Sequence, residues 1–188
     1  MNSKLVLASN SPRRKQILEE AGISFTVRIK DTPENYPADL DTSQVPSYLA
    51  RLKAKAFSEI RDETFITADT IVLLDGMILG KPSTFDEAFS MLKSLSGKKH
   101  QVITGVCLLN KNTETIFSDT TDVYFRNLSD AEINFYLEHY KPYDKAGAYG
   151  IQEWLGMVGI EKISGSYYNV MGLPIHKLHA ELKKLSLI

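Results

Sequence analysis

The chain has 188 residues, enough for one well-buried core or two small lobes but too few for several domains. Hydrophobic residues make up 43% and charged residues 24% of it, an ordinary globular composition, and no apolar run approaches the roughly 20 residues that span a bilayer. With 22 basic and 23 acidic residues the net charge is −1, which argues against a broad electrostatic footprint for nucleic acid. Any phosphate affinity must then come from a few converging cations.

Met1-Asn2-Ser3-Lys4 passes straight into an apolar run, which leaves no room for a signal peptide. The single Cys107 excludes an internal disulfide and a cysteine-based metal site, and it sits in the apolar run 106–109 as a structural thiol. A cytoplasmic protein is expected.

The first strand, Leu5-Val6-Leu7, ends in Ala8-Ser9-Asn10-Ser11-Pro12-Arg13-Arg14. Ser11 is a good N-cap and Pro12 suits the first helical turn, where a missing N–H costs nothing. Strand, tight turn and helix N-terminus bring backbone N–H groups, two hydroxyls and two guanidinium forks to one place, an anion site with phosphate as the expected anion. Lys15 to Ala21 puts Ile17, Leu18 and Ala21 on one face, and Gly22 supplies the stop.

Phe25 to Ile29 alternates as a strand, and Lys30 to Asp41, with two prolines and four acidic residues, reads as a loop. Ser43 to Ile60 is predicted helical through the stripe Val45, Leu49, Leu52 and Ala56. Phe65 to Leu74 is a strand, and Asp75-Gly76 turns it into Met77-Ile78-Leu79. Thr84 caps a helix through Leu95 that ends at Gly97. Gln101 to Leu109 and Thr115 to Phe125 are two long strands, and Ser129 caps a helix to about Tyr140, with Ile133, Tyr136 and Leu137 inward. Tyr143 to Gly172 reads as loops with short strands, and Pro174 opens a last helix with Ile175, Leu178 and Leu182 on its apolar face. Mixed strands and helices with hairpins predict an α/β fold: a mixed, bent sheet with flanking helices, in two lobes around a central cleft.

Within this frame Asp69 interrupts an otherwise apolar strand. A carboxylate there is costly unless paired, hydrogen-bonded or bound to metal; an outward-facing Asp on an edge strand is the competing reading. Lys81, in Gly80-Lys81-Pro82, is returned by the hairpin toward the Asp69 strand, or is simply solvated. In the small-residue stretch 144–152, Lys145 offers a cation and Gln152 an amide that both donates and accepts, which suits the edge of a base. An irregular loop with an incidental glutamine is the alternative. Glu34 and Lys53 are weaker candidates, and His100, His139, His176 and His179 form no convincing metal set. Together, Arg13, Arg14, Lys53, Lys81 and Lys145 suit a polyphosphate. Glu34 and Asp69 suit a hard divalent ion, beside which an Asp can take the proton of an attacking water.

Ser9-Asn10-Ser11-Pro12-Arg13-Arg14, Ala68-Asp69-Thr70, Gly80-Lys81-Pro82, His100-Gln101-Val102-Ile103-Thr104-Gly105, the run Asp144 to Gln152 and the run Gly165 to Pro174 occur in that order. This ordered set resembles the Maf family, once called septum-formation proteins, whose members are nucleoside triphosphate pyrophosphatases. The resemblance spans almost the whole chain and implies a single Maf-like domain over residues 1–188, similar to inosine triphosphatases and usually dimeric.

It also implies hydrolysis between the α- and β-phosphates with a divalent cation (Mg²⁺, Mn²⁺ or Co²⁺), giving a monophosphate and pyrophosphate. Asp69 matches the general base. Arg13, Thr70 and Gln152 match positions that set substrate preference. Ser9, Arg14, Glu34, Lys53 and Lys81 match positions lining the phosphate and metal site.

Arg13 and Tyr149-Gly150-Ile151-Gln152 resemble the dTTP/UTP branch, with modified pyrimidine nucleotides as further candidates. A branch preferring 7-methyl-GTP commonly has an aromatic residue at the Arg13 position. After Gln152, where many members carry glycine, this chain has Glu153-Trp154-Leu155-Gly156. The expected partners are a nucleoside triphosphate and a second copy of the chain, without nucleic acid or membrane. The alternatives are a purine or 7-methyl-GTP pyrophosphatase, or a septum-formation regulator acting through a bound partner.

Overall fold

Strand β1 (Lys4–Leu7) buries Leu5, Val6 and Leu7 and feeds helix α1 (Pro12–Glu20). The cap is the expected one: Ser11 Oγ accepts from the Arg14 backbone N–H at 3.4 Å, and Pro12 sits in the first turn. β2 (Thr26–Val27) pairs in parallel with β1 but is only two residues long, shorter than predicted, because both its side chains are exposed and no buried face extends it. The computed structural model describes residues 4–57 and 62–188.

Residues 30–41 form no helix or strand, as expected. A short 3-10 turn, Thr42–Gln44, capped by Asp41, precedes helix α2 (Val45–Lys55), so Ser43 lies in that turn and not in the helix. The predicted helix ran to Ile60; its residues 58–60 lie outside those described.

β3 (Glu63–Leu74) and β4 (Met77–Leu79) form the antiparallel hairpin read from Asp75-Gly76. These two residues take φ values of 50° and 81°, the left-handed pair that a two-residue hairpin turn needs. Helix α3 (Phe85–Leu95) is capped by Thr84, and α4 (Asp130–Tyr140) by a full Ser129–Glu132 capping box. Between them run the long strands β5 (Lys99–Leu109) and β6 (Glu114–Phe125).

The segment expected to hold only loops and short strands contains helix α5 (Trp154–Gly159), strand β7 (Ile160–Ser164) and helix α6 (Tyr167–Met171). Gly156 and Gly159 weaken the helical signal of α5 in the sequence. Packing nevertheless demands Gly156, since a Cβ there would lie 1.9 Å from the Ile151 carbonyl oxygen. Helix α7 (Ile175–Lys184) buries Leu178 and Leu182.

The seven strands form one mixed sheet in the order β2-β1-β3-β5-β6-β7, with β4 on β3. β1 is parallel to β2 and β3, and β7 is antiparallel to β6. β3 therefore lies between β1 and β5, and its residues 64–69 are buried in succession. That removes the reading of Asp69 as an outward residue on an edge strand.

The chain forms two compact units and passes between them four times, three of these within β3, β5 and β6. The first comprises residues up to Asp69, Thr104–Asp119 and Gly172–Ile188. Its core holds β1, the buried faces of α1, α2 and α7, and Cys107, whose thiol burial pushes up to about 12. Thr67 Oγ1 donates to the Ala50 carbonyl at 2.7 Å, tying β3 to α2. The second unit, Thr70–Ile103 and Thr120–Met171, has its core between α3, α4 and the strands, with Leu92, Leu95, Phe125, Ile133 and Leu137 buried. Among the described residues no helix is long and apolar enough to cross a membrane.

In the first unit, a Cβ on Gly105 of β5 would lie 2.2 Å from the Ser47 nitrogen and 2.4 Å from the Pro46 carbonyl carbon, both backbone atoms at the start of α2. Gly105→Ala is expected to cost about 1–3 kcal/mol and to lower the melting temperature by roughly 3–10 °C, read by calorimetry.

Candidate active site

The turn after β1 folds onto its own arginine. Ser9 Oγ accepts from the Ser11 N–H at 3.2 Å and from Arg14 Nη1 at 3.1 Å, and Arg14 Nε donates to the Gly172 carbonyl at 2.8 Å. Two fixed acceptors thus hold the guanidinium plane in one orientation. Burial pulls the Arg14 pKa below its usual value; Asp69 and Glu34 oppose that shift and Arg13 reinforces it. The same group of residues therefore carries cations and carboxylates within electrostatic reach of one another.

Lys53 supplies the centre. Its Nζ lies 2.5 Å from Asp69 Oδ1 and 2.7 Å from Glu34 Oε1, so one ammonium bridges the two carboxylates. Asp69 stands at the end of the β3 segment in the first unit and is 9% exposed. Lys53 is on the last turns of α2, where Arg51 pairs with Glu114 and Lys55 is exposed, so Lys53 alone among these three turns to Asp69. Glu34 comes from the loop 30–41, whose start is tied to α2 by Lys30 Nζ donating to the Ala56 carbonyl at 2.5 Å.

Glu34 and Lys53, the weaker candidates in the sequence, are thus brought together with Ser9, Arg14 and Asp69. Two hard carboxylates sharing one cation also fit a divalent ion of the Mg²⁺ type, which takes one or two carboxylates and completes its shell with phosphate and water. Among the described residues no cluster of three or more His, Cys, Asp or Glu side chains forms.

Arg13 is half-buried on α1 in the first unit, and the second unit holds the other predicted residues, Thr70, Lys81, Lys145 and Gln152. Thr70 is half-buried on β3 and Lys81 is exposed just after β4. The Gly147 N–H donates to the Gly80 carbonyl at 3.0 Å, joining the Lys81 segment to the loop 144–153. In that loop Lys145 lies with its side chain 10% exposed, 2.7 Å from Asp144 Oδ1 and 3.0 Å from Glu153 Oε1. Gln152 is exposed, as a residue that reads a ligand must be.

The sequence reading missed three participants. Glu153 registered only as an unusual residue after Gln152, yet it pairs with Lys145 and accepts from the Tyr136 hydroxyl. Tyr136 registered as an inward apolar position of α4; its hydroxyl also accepts from the Gly150 N–H at 3.0 Å. Burial, with the Glu153 hydrogen bond second, raises the Tyr136 pKa, so its hydroxyl stays a donor. The Gly172 carbonyl has no signal in the sequence, because any residue carries one.

The architecture defines a class first. The chain has the fold of the Staphylococcus aureus Ham1 protein, with a TM-score of 0.57 over 96% of this chain and 98% of that one, at 16% identity. It belongs to the Maf family, matching "Maf-like protein" over residues 4–185, a span that includes both units. A protein of Bacteroides thetaiotaomicron named dTTP/UTP pyrophosphatase is 53% identical over 97% of this chain and 96% of its own length. One of Phocaeicola vulgatus with the same name is 54% identical over the same shares. A third, from Cytophaga hutchinsonii, is 52% identical over 98% of this chain and 85% of its own.

Near the loop, the imidazole of His100 on β5 meets the Tyr149 hydroxyl at 2.7 Å and packs edge-on against Phe125. Burial pulls the His100 pKa down to about 4, against the weaker opposing pull of Asp122. The folded value thus lies below the ordinary 6.5, so unfolding takes up a proton between those two values. Its contribution to stability is complete above pH 6.5 and is lost as pH falls toward 4, about 3 kcal/mol in all. Denaturant unfolding across this window should show a pH slope that shrinks in His100→Gln, which keeps a partner for Tyr149 without titrating.

Proposed function

We propose that this protein hydrolyses dTTP and UTP to the monophosphate and pyrophosphate. The observation that carries the chemistry is the Asp69–Lys53–Glu34 bridge beside the immobilised Arg14. The pyrimidine substrates follow from relatives 52–54% identical over nearly the whole chain. The whole chain acts as one Maf-like domain, and the resemblance extends this to a cytoplasmic homodimer.

In this reading water attacks the α-phosphorus and the bond to the α–β bridging oxygen breaks, so that pyrophosphate leaves. Asp69 accepts the water's proton. Lys53 keeps Asp69 and Glu34 in one place, and Arg14, already fixed by Ser9 and Gly172, presents its charge to phosphate without reorganising. Asp69 and Glu34 would hold a divalent cation (Mg²⁺, Mn²⁺ or Co²⁺), which supplies charge neutralisation at the phosphate oxygens. Lys81 is exposed and available to phosphate, while Arg13, Thr70 and Gln152 set which nucleotide is accepted. Lys145, paired with two carboxylates, contributes to substrate binding through the loop it holds.

A pyrophosphate-release screen across nucleoside triphosphates, 7-methyl-GTP included, tests the assignment: dTTP and UTP should lead, and a purine leading would refute it. Asp69→Asn should lower kcat by about 10³-fold, within the range for a lost general base, with UTP still bound in a calorimetric titration. Wild-type turnover in that variant would remove Asp69 from the mechanism. Gln152→Ala should reduce the preference for UTP over GTP by about tenfold, the scale of one hydrogen bond, and an unchanged profile would remove Gln152 from base recognition.

A further inference from the structure

The loop 144–153 is held by contacts that the proposed chemistry does not use. Tyr149 is anchored by His100 at 2.7 Å, and the Gly150 N–H donates to Tyr136 Oη at 3.0 Å. The Tyr136 hydroxyl donates in turn to Glu153, and Glu153 Oε1 reaches Lys145 Nζ at 3.0 Å. A single chain of interactions, Tyr136 to Glu153 to Lys145, therefore closes the loop between its two ends. Lys145 is nearly buried, and a buried cation is costly unless paired.

Gln152 sits between these anchors. A Cβ at Gly150 would lie 3.1 Å from Gln152 Nε2 and 2.8 Å from Glu153 Cδ, so both side chains fold over the same glycine. The position of the Glu153 carboxylate thereby bounds where the Gln152 amide lies. An exposed glutamine with free torsions samples many positions; one packed over Gly150 beside the fixed Glu153 carboxylate samples fewer.

We propose that Glu153 is a positioning residue for base selection: fixed by Tyr136 and Lys145, it places the Gln152 amide and so sets which nucleotide is accepted. This rests on the reading of Gln152 as the base-contacting residue. Lys145 then serves as the counter-ion of Glu153.

The test is kcat/KM for UTP and for GTP in the full chain carrying Glu153→Ala, Glu153→Gln or Tyr136→Phe, together with amide hydrogen exchange at residues 150–152. Glu153→Ala should cut the UTP-to-GTP ratio by about tenfold through KM for UTP, leave kcat nearly unchanged and speed exchange by at least about tenfold. Adding Gln152→Ala to it should bring little further loss of selectivity. Glu153→Gln keeps an acceptor for Tyr136 and should recover part of the ratio. Tyr136→Phe should repeat the loss if Glu153→Ala does not fold.

UTP and GTP falling alike, or a ratio and exchange that do not move, would overturn the role of Glu153. If the wild type prefers UTP but the ratio stays constant in these variants, only this role fails. If the wild type turns over no nucleotide, the proposed function fails, and base selection by Glu153 with it.

Discussion

An ionised carboxylate on an interior strand is the constraint around which the first unit is built. Asp69 lies in β3, between β1 and β5, where burying a charge without a partner costs several kcal/mol. Lys53 answers that cost, and it can do so only if α2 is held at one height against β3. Thr67, two residues before Asp69, binds the Ala50 carbonyl of α2, and Gly105 lets β5 approach the first turn of the same helix. The glycine and the threonine are structural residues whose product is a correctly aimed lysine.

The same device recurs in the second unit. Lys145 is nearly buried and meets two carboxylates, of which Glu153 also takes the hydroxyl of a buried tyrosine. In each unit a cation is pinned by two acids. In the first, the acids are the proposed reactive groups; in the second, one of them is proposed to hold the residue that reads the base. Paired charges of this kind are preorganised, so substrate binding need not order them.

Much of the fold was legible because it rests on local signals. The Ser11-Pro12 start of α1, the Asp75-Gly76 turn and the Ser129 cap of α4 each act over a few residues and appear where the sequence placed them. The helices α5 and α6 were not legible, since glycines and aromatics over five or six residues carry no helical period. Glu34 and Lys53 were only weaker candidates in the sequence, because what distinguishes them is a partner more than a dozen residues along the chain. Glu153 looked like a departure from a pattern for the same reason.

The sequence by itself determined the residue types of a phosphate site, the order of its motifs and the family to which the chain belongs. Those are properties of composition and spacing along one dimension. Only the tertiary structure decided that Lys53 bridges Asp69 and Glu34, that Arg14 is locked by Ser9 and a carbonyl at Gly172, and that Lys145 is bound to acids of its own loop. Electrostatic partnership depends on distances of about 3 Å between groups that lie up to 158 residues apart, and only packing sets those distances.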